Sequence, residues 1–129
     1  MDKEKVERYN NVIKSLIDAA NQIPGCTSLS APYIGSSEKI CIIKQRNNQW
    51  RGFIEPVIAK FPGNKPRKVK VLEKCILTGE TFEKSRYEKI YIIFKNEKNQ
   101  ILKKCFVKEE AYRLLHELDH LAEKVCKGD

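Results

Sequence analysis

The spacing of the apolar residues changes at Lys108, and this change constrains the fold more than any other feature of the sequence. From residue 108 to about residue 126 the apolar residues recur every three or four positions, which predicts an amphipathic helix. Glu109 and Glu110 open this segment and lysines close it, as the helix dipole favours. Its apolar stripe consists of Ala111, Leu114, Leu115, Leu118, Leu121, Ala122 and Val125.

The residues before Lys108 form shorter apolar segments with turn residues between them, which predicts strands. We expect strands at Ile40–Lys44, residues 52–59 (broken or edged at Pro56), residues 69–77, Lys89–Lys95 and Ile101–Val107. A first amphipathic helix is expected from residue 3 to about residue 22, and a loop rich in serine, proline and glycine at residues 27–37. The order of helix, strands and helix predicts an α+β fold with a mainly antiparallel sheet.

Length and composition set the class of protein. A chain of 129 residues, with 41% hydrophobic and 33% charged residues, suits a single globular domain over residues 1–129. The net charge of +8 favours acidic surroundings such as the ribosome surface, but the lysines are scattered and no nucleic-acid-binding module is visible. No apolar run approaches the roughly 20 residues of a membrane span, so no membrane association is expected.

The cysteines indicate the compartment. There are five, an odd number, and their spacings fit no disulfide framework. The N-terminal residues are charged and do not resemble a signal peptide. We therefore expect a cytoplasmic protein whose thiols are reduced and are available to pack or to bind metal.

The predicted C-terminal helix contains an H-E-x-x-H motif at residues 116–120. Residues four apart on a helix lie on one face, so His116 and His120 can bind one divalent metal, and Glu117 can take a proton from a metal-bound water. Both histidines of the chain are here, and they lie well over a quarter turn from the centre of the apolar stripe. The alternative is a pair of solvent-facing histidines on a surface helix.

A catalytic metal usually has three protein ligands, so a third ligand must come from elsewhere in the chain. Thiolates bind zinc and ferrous iron well, and Cys75 stands out because it ends a predicted strand just before a turn. Cys41 and Cys105 lie in predicted strands and are expected to be core thiols. Cys126, near the terminus, is expected to be inert.

Three segments together resemble the peptide deformylase family, whose motifs run in the order G-x-G-L-A-A-P-Q, E-G-C-L-S and Q-H-E-x-D-H-L. The matching segments here are C-T-S-L-S-A-P-Y at residues 26–33, E-K-C-I-L at 73–77 and L-H-E-L-D-H-L at 115–121. Ile34-Gly35 continues the first motif, and Ser85-Arg86-Tyr87 resembles the family's segment after the cysteine motif. The resemblance covers roughly residues 6 to 126.

The resemblance implies an α+β fold in which the metal helix packs among antiparallel strands. It implies that Cys75, His116 and His120 bind ferrous iron (Fe2+) in the cell, with zinc, nickel or cobalt as substitutes. Water on the metal would attack the formyl carbon of an N-formylmethionyl nascent peptide and release formate, and Glu117 would act as the general base. The backbone N–H of Ile76 would face the developing oxyanion.

The first and second motifs also contain the departures from the family. Tyr33 replaces a glutamine whose amide donates to the tetrahedral intermediate, and losing one such donor typically costs on the order of a hundredfold in rate. Cys26 and Ser28 replace two glycines, and Cys26 is a candidate extra ligand or redox-sensitive thiol. Lys74 replaces the glycine before the metal cysteine and would bring a cation near the substrate.

Ile34 and Gly35 are expected to border the substrate cleft by the same resemblance. Because the ligands and the base are intact while the substrate-facing loops differ, two functions fit. One is a divergent active deformylase. The other is a deformylase-like metal-binding protein that has little deformylase activity and acts on another small amide or binds peptides. A generic H-E-x-x-H protease fits less well, because the third ligand lies upstream on a strand.

Overall fold

The structure is a computed structural model that describes residues 3–123 and residue 128. It contains two α-helices, seven strands and a 3₁₀ helix at Ala31–Ile34. In chain order these are α1 (Lys3–Asn21), β1 (Ser28–Ser30), β2 (Ile40–Lys44), β3 (Trp50–Ile58), β4 (Lys68–Lys74), β5 (Thr81–Tyr87), β6 (Lys89–Lys95), β7 (Ile101–Val107) and α2 (Glu109–Leu121).

All strand pairs are antiparallel, which confirms the predicted α+β class. Five strands form one sheet in the order β1-β2-β3-β6-β7, and β4 and β5 form a separate two-stranded sheet. Neither helix in the described part of the chain is long and apolar enough to cross a membrane.

Strand β2 is buried on both faces and separates two hydrophobic clusters. Cys41 and Ile43 belong to the cluster that includes the buried face of α2, whereas Ile40 and Ile42 belong to the cluster that includes α1. Successive side chains of a strand point to opposite faces, so the two helices lie on opposite faces of the sheet. This arrangement explains why β2 is an uninterrupted apolar run.

Helix α1 packs closely on the sheet at Gly52 of β3. Its buried residues, Tyr9, Ile13, Leu16 and Ala20, follow the spacing of three and four that predicted the helix. A Cβ atom at Gly52 would lie only 2.8 Å from Ile13 Cδ1, so glycine is needed for this approach. The absence of a side chain at Gly52 therefore allows α1 to pack close to the sheet.

Helix α2 is shorter than the prediction of residues 108 to about 126. It ends at Leu121, whose carbonyl oxygen accepts a hydrogen bond from Lys39 Nζ at 2.6 Å. Glu123 has a φ of 60°, in the left-handed region that cannot continue a right-handed helix. Val125 and Cys126, which the sequence placed on or near this helix, lie outside the described residues.

Two segments differ from the sequence-based prediction near the site. The expected loop at residues 27–37 contains β1 and the 3₁₀ helix, and strand β5 was not predicted at all. The β5 sequence is mostly polar, and the strand pairs only with β4 in a two-stranded sheet and contacts α2. Strand β4 ends at Lys74, so Cys75 is the first residue after the strand rather than part of it.

The two strand cysteines have different environments. Cys41 is fully buried, as expected of a core thiol. Cys105 is exposed, so its expected burial is wrong. It lies on β7, the edge strand of the sheet, where Phe106 takes the inward position and its neighbour points to solvent.

Candidate metal centre

Three potential metal ligands converge between α2 and the turn that follows β4. His116 Nε2 and His120 Nε2 lie 3.1 Å apart, and Cys75 Sγ lies 3.5 Å from His120 Nε2. All three ligand atoms are within 4.8 Å of one another. The turn is held at its base, where the Cys75 N–H donates to Glu80 O and its carbonyl accepts from Gly79 N–H.

These separations fit one small divalent ion. Metal–nitrogen bonds of about 2.0–2.1 Å and metal–sulfur bonds of about 2.3 Å in a tetrahedral site place ligand atoms about 3.3–3.6 Å apart. The observed 3.1 and 3.5 Å are close to those values. Within residues 3–123 and 128, Cys75, His116 and His120 are the group whose donor atoms converge in this way.

The ring orientation of His116 is set by Glu73, a buried residue at the end of β4. His116 Nδ1 donates to Glu73 Oε1 at 2.7 Å, which leaves Nε2 as the nitrogen that faces His120. Burial lowers the pKa of His116, but this hydrogen bond, the negative charges of Glu117 and Glu73 and the contact with Cys75 together outweigh burial and raise it. Burial and the neighbouring His116 lower the pKa of His120, which favours the neutral imidazole that a metal requires.

A buried ionic network extends from Glu73 to the far side of α2. Arg86 of β5 donates two hydrogen bonds to the Glu73 carboxylate, at 2.8 and 2.9 Å, and a third to Asp119 Oδ2 at 2.7 Å. Burial alone would raise the pKa of Glu73, but Arg86 and His116 outweigh burial and lower it to about 2. The chain of contacts from Asp119 to His116 therefore joins the β4–β5 hairpin to the helix.

The carboxylate of Glu117 lies on the other side of the histidine pair, against β1. Its side chain is only 4% exposed and accepts a hydrogen bond from Ser28 Oγ at 2.6 Å. Burial raises the pKa of Glu117, and the hydrogen bonds from the Ser28 and Ser30 hydroxyls oppose this shift. A buried carboxylate with a raised pKa beside a metal site is suited to accept a proton.

A cleft of about 440 Å³ opens onto this cluster. Of the residues predicted from the sequence, it is lined by Tyr33, Lys74, Ile76, His116, Glu117 and His120. Ile34 and Gly35 are placed elsewhere among the described residues: Ile34 packs against the cluster under α1, and Gly35 ends the 3₁₀ helix with a φ of 75°.

Cys26 also lines the cleft, but its environment does not favour a ligand. Its Sγ donates to Ser28 O at 3.2 Å, and burial raises its pKa, which opposes formation of the thiolate. It is not one of the three converging ligand atoms among the described residues. The extra-ligand alternative therefore has no support in this arrangement.

No role was predicted from the sequence for Glu73 and Ser28, which contact His116 and Glu117, or for Arg86 and Asp119, which extend the network from Glu73. Three of them lie within the quoted motifs, and Arg86 lies in the segment that resembles the one after the cysteine motif. A carboxylate in the cysteine motif and an arginine in the polar segment after it are the sequence signals for such a network. Arg86 pairs with Glu73, 13 positions away, and with Asp119, 33 positions away, and hydrophobic spacing predicts neither pair.

Comparisons with known proteins agree with this geometry. The family model described as Polypeptide deformylase matches residues 1–126. Among solved structures, the Thermotoga maritima peptide deformylase aligns with a TM-score of 0.82 at 22% identity, covering 92% of this chain and 78% of that one. The deformylase of Vibrio parahaemolyticus bacteriophage VP16T, in complex with actinonin, aligns with a TM-score of 0.78 at 21% identity, covering 91% and 82%.

A Plasmodium falciparum peptide deformylase in complex with an inhibitor gives the same TM-score of 0.78 at 22% identity, covering 92% of this chain and 71% of that one. No curated protein matches the chain in the corresponding comparison. At these identities the solved structures support the fold, and the family model supports membership over nearly the whole chain.

Proposed function

The chain belongs to the polypeptide deformylase family, and from this premise we propose that it removes the formyl group from N-formylmethionyl peptides. Membership supports a metal-dependent hydrolase of the deformylase kind. The observation that carries the finer proposal is the convergence of the ligand atoms of Cys75, His116 and His120 beside the buried carboxylate of Glu117. These are the groups that a hydrolytic metal site requires.

Cys75, His116 and His120 are the residues that would hold the metal, with Fe2+ as the expected ion in the cell and Zn2+, Ni2+ or Co2+ as substitutes. A thiolate and two neutral imidazoles suit all four ions. When bound, such an ion supplies a Lewis acid that polarises the formyl group and makes a water more acidic. Glu73 keeps His116 in the tautomer that presents Nε2.

Glu117 is the proposed general base. It would take a proton from the attacking water and return it to the leaving amine when the C–N bond of the formamide breaks. The backbone N–H of Ile76 and the hydroxyl of Tyr33 are the proposed donors to the oxyanion, and both residues line the cleft. Lys74 lines the same cleft and is proposed to contact the peptide. Ile34 and Gly35 are proposed as substrate-binding residues on the family resemblance alone, since neither is among the residues that line the cleft.

The proposed partners are N-formylated nascent peptides in the cytoplasm. The net charge of +8 supports, in addition, attraction to the acidic surface of the ribosome. A single domain over residues 1–129 is proposed, in agreement with the family match over residues 1–126.

A second candidate function is favoured by Tyr33. Its side chain is 38% exposed at the cleft, where the family motif has glutamine, and an exposed Lys74 lines the same space. A rigid ring in this position can fill the cleft instead of donating to the oxyanion. The alternative is a deformylase-like metal-binding protein with little or no deformylase activity, which acts on another small amide or binds peptides.

The test is formate release from a formyl-Met peptide by protein that is purified anaerobically and loaded with iron. Metal content is measured on the same sample. Formate release that disappears in Glu117→Gln, at unchanged metal content, supports deformylation. Metal-loaded wild type that releases no formate rejects it and favours the second candidate.

A further inference from the structure

Two serine hydroxyls contact the carboxylate of Glu117 from strand β1. Side chains alternate along a strand, so Ser28 and Ser30 share one face while Leu29 packs into the cluster under α1. Ser28 Oγ donates to Glu117 Oε2 at 2.6 Å, and the Ser30 hydroxyl on the same face of β1 lowers the pKa of this carboxyl. Pairing of Ser28 with Ile43 and of Ser30 with Cys41 holds both serines on the rigid sheet.

The contact from Ser28 has the length of a strong hydrogen bond. A hydroxyl that donates to a carboxylate usually lies about 2.5–2.7 Å from it, and such bonds are about twice as strong as neutral ones. Because Glu117 is buried, water is a poor substitute for this donor. Occupation of Oε2 by Ser28 restricts rotation of the carboxylate about its last bond.

These hydroxyls belong to this chain and not to the family motif. In G-x-G-L-A-A-P-Q the positions of Ser28 and Ser30 are glycine and alanine, neither of which has a side-chain donor. Ser28 is half-buried and lines the cleft beside His116 and His120. The substitution of glycine by serine has therefore placed a new donor on the proposed base.

We propose that Ser28 is a positioning residue, whose hydroxyl holds the Glu117 carboxylate in the orientation that accepts the proton of the attacking water. This inference rests on the proposed function, because it gives Glu117 the role of general base. Misplacement of a catalytic group by about 1 Å can cost up to about a hundredfold in rate, so loss of one fixing bond has a measurable effect. The hydroxyl does not contact the substrate in this role, so it affects kcat and not KM.

The test compares Ser28→Ala, Ser28→Gly and Ser28→Thr in iron-loaded protein with a formyl-Met peptide. We expect kcat to fall about tenfold in Ser28→Ala and Ser28→Gly, with KM within about twofold of wild type. Ser28→Thr keeps the hydroxyl and should stay within about threefold of wild type. Ser15→Ala, the same loss of a hydroxyl on the exposed face of α1, is the matched control and should leave kcat unchanged.

Two kinetic results would overturn the inference. One is a kcat in Ser28→Gly equal to or above that of wild type, since the family residue would then serve as well as serine. The other is a rise of KM at constant kcat, which would make Ser28 a substrate contact. Metal content and the thermal unfolding midpoint, measured for each variant, separate positioning from loss of the site or of the fold.

An infrared measurement separates this inference from the proposed function. The carboxylate stretching band of Glu117, obtained by subtracting Glu117→Gln from wild type, should shift in Ser28→Ala and return in Ser28→Thr. If wild type releases no formate but the band still shifts in Ser28→Ala, the proposed function is rejected and the contact between Ser28 and the Glu117 carboxylate is supported. An unchanged band overturns the inference whatever the activity.

Discussion

His116 Nδ1 donates to Glu73 Oε1 at 2.7 Å, and this hydrogen bond, like the one from Arg86 to Asp119, connects the H-E-x-x-H helix to the β4–β5 hairpin that supplies Cys75. The contact determines that Nε2 is the nitrogen of His116 that faces His120 and the candidate metal site. It also places the carboxylate of Glu73, the acidic residue of the cysteine motif, against the ring nitrogen of His116 that faces away from His120.

Loss of either a thiol or an imidazole ligand should abolish stoichiometric metal binding. In Cys75→Ser and His120→Ala, we expect metal content to fall from about one ion per chain to near zero after dialysis, because two remaining ligands hold a divalent ion weakly. Elemental analysis of zinc- and iron-reconstituted protein measures this. Cys105→Ser, an exposed thiol on β7, is the matched control and should keep its metal. Wild type that binds no stoichiometric metal would contradict the proposed site.

Glu117→Gln should separate chemistry from metal binding. The amide keeps the shape of the side chain but cannot accept a proton, so kcat should fall by about a hundredfold or more while metal content is unchanged. Formate release and elemental analysis on the same preparation measure both. Glu97→Gln in the exposed turn before β7 is the control and should behave as wild type. Loss of metal together with activity would make Glu117 a structural or ligating residue instead.

Tyr33 distinguishes the two candidate functions. If its hydroxyl donates to the oxyanion, Tyr33→Phe should lower kcat/KM by about tenfold or more, because a transition-state contact is removed. If the ring fills the cleft, wild type should be nearly inactive and Tyr33→Gln should raise activity by a similar factor. Absence of formate release from both wild type and Tyr33→Gln, with metal bound in each, would exclude deformylation.

Arg86 should be the most sensitive residue of the buried network. Its side chain is 7% exposed and neutralises Glu73, so Arg86→Ala leaves a buried carboxylate without its main partner and should cost on the order of 3–5 kcal/mol of unfolding free energy. Urea unfolding of metal-free protein measures this. Arg67→Ala removes a similar two-bond contact to Glu88 on the surface and should have little effect. Equal losses of unfolding free energy in Arg86→Ala and Arg67→Ala would show that burial of the Arg86–Glu73 pair does not increase its effect on stability.

The acid dependence of stability should follow Glu73. Its pKa is lowered to about 2 in the folded protein, below the usual 4.5 that applies when the chain is unfolded. The stabilisation that it provides is therefore fully present above about pH 4.5 and is lost as the pH falls towards about 2. The difference in unfolding free energy between metal-free wild type and Glu73→Gln should shrink over this interval. A difference that stays constant with pH would assign the stabilisation to another group.

The parts of the fold that the sequence predicted well are those with strong apolar periodicity. The buried positions of α1 and the alternation of β6 reflect burial on one face, and the apolar run of β2 reflects burial on both faces, all of which spacing reports directly. The two histidines of the H-E-x-x-H motif lie four positions apart on one helix, so their proximity follows from helical spacing alone. Strand β5 was not predicted, because its buried residue Arg86 is polar. Arg86 is buried by pairing with Glu73 and not by packing in an apolar cluster.

The hydrogen bond between Ser28 and Glu117 also could not be predicted from the sequence. The two residues are 89 positions apart, and a serine in a loop-like segment usually indicates a turn. Only the placement of β1 beside α2 brings the hydroxyl onto the carboxylate. Long-range polar contacts of this kind depend on topology, which hydrophobic spacing does not encode.

The ligands of the candidate metal centre also have a consequence for folding. Cys75 and His120 are separated by 45 positions, and the Glu117 contact with Ser28 spans 89, so the complete site closes loops over most of the described chain. Such closures come late in folding, because their entropy cost must be met before the contacts form. Tight binding of the proposed metal is therefore expected only after these long-range contacts have formed, and a chelator should lower the free energy of unfolding of metal-loaded protein.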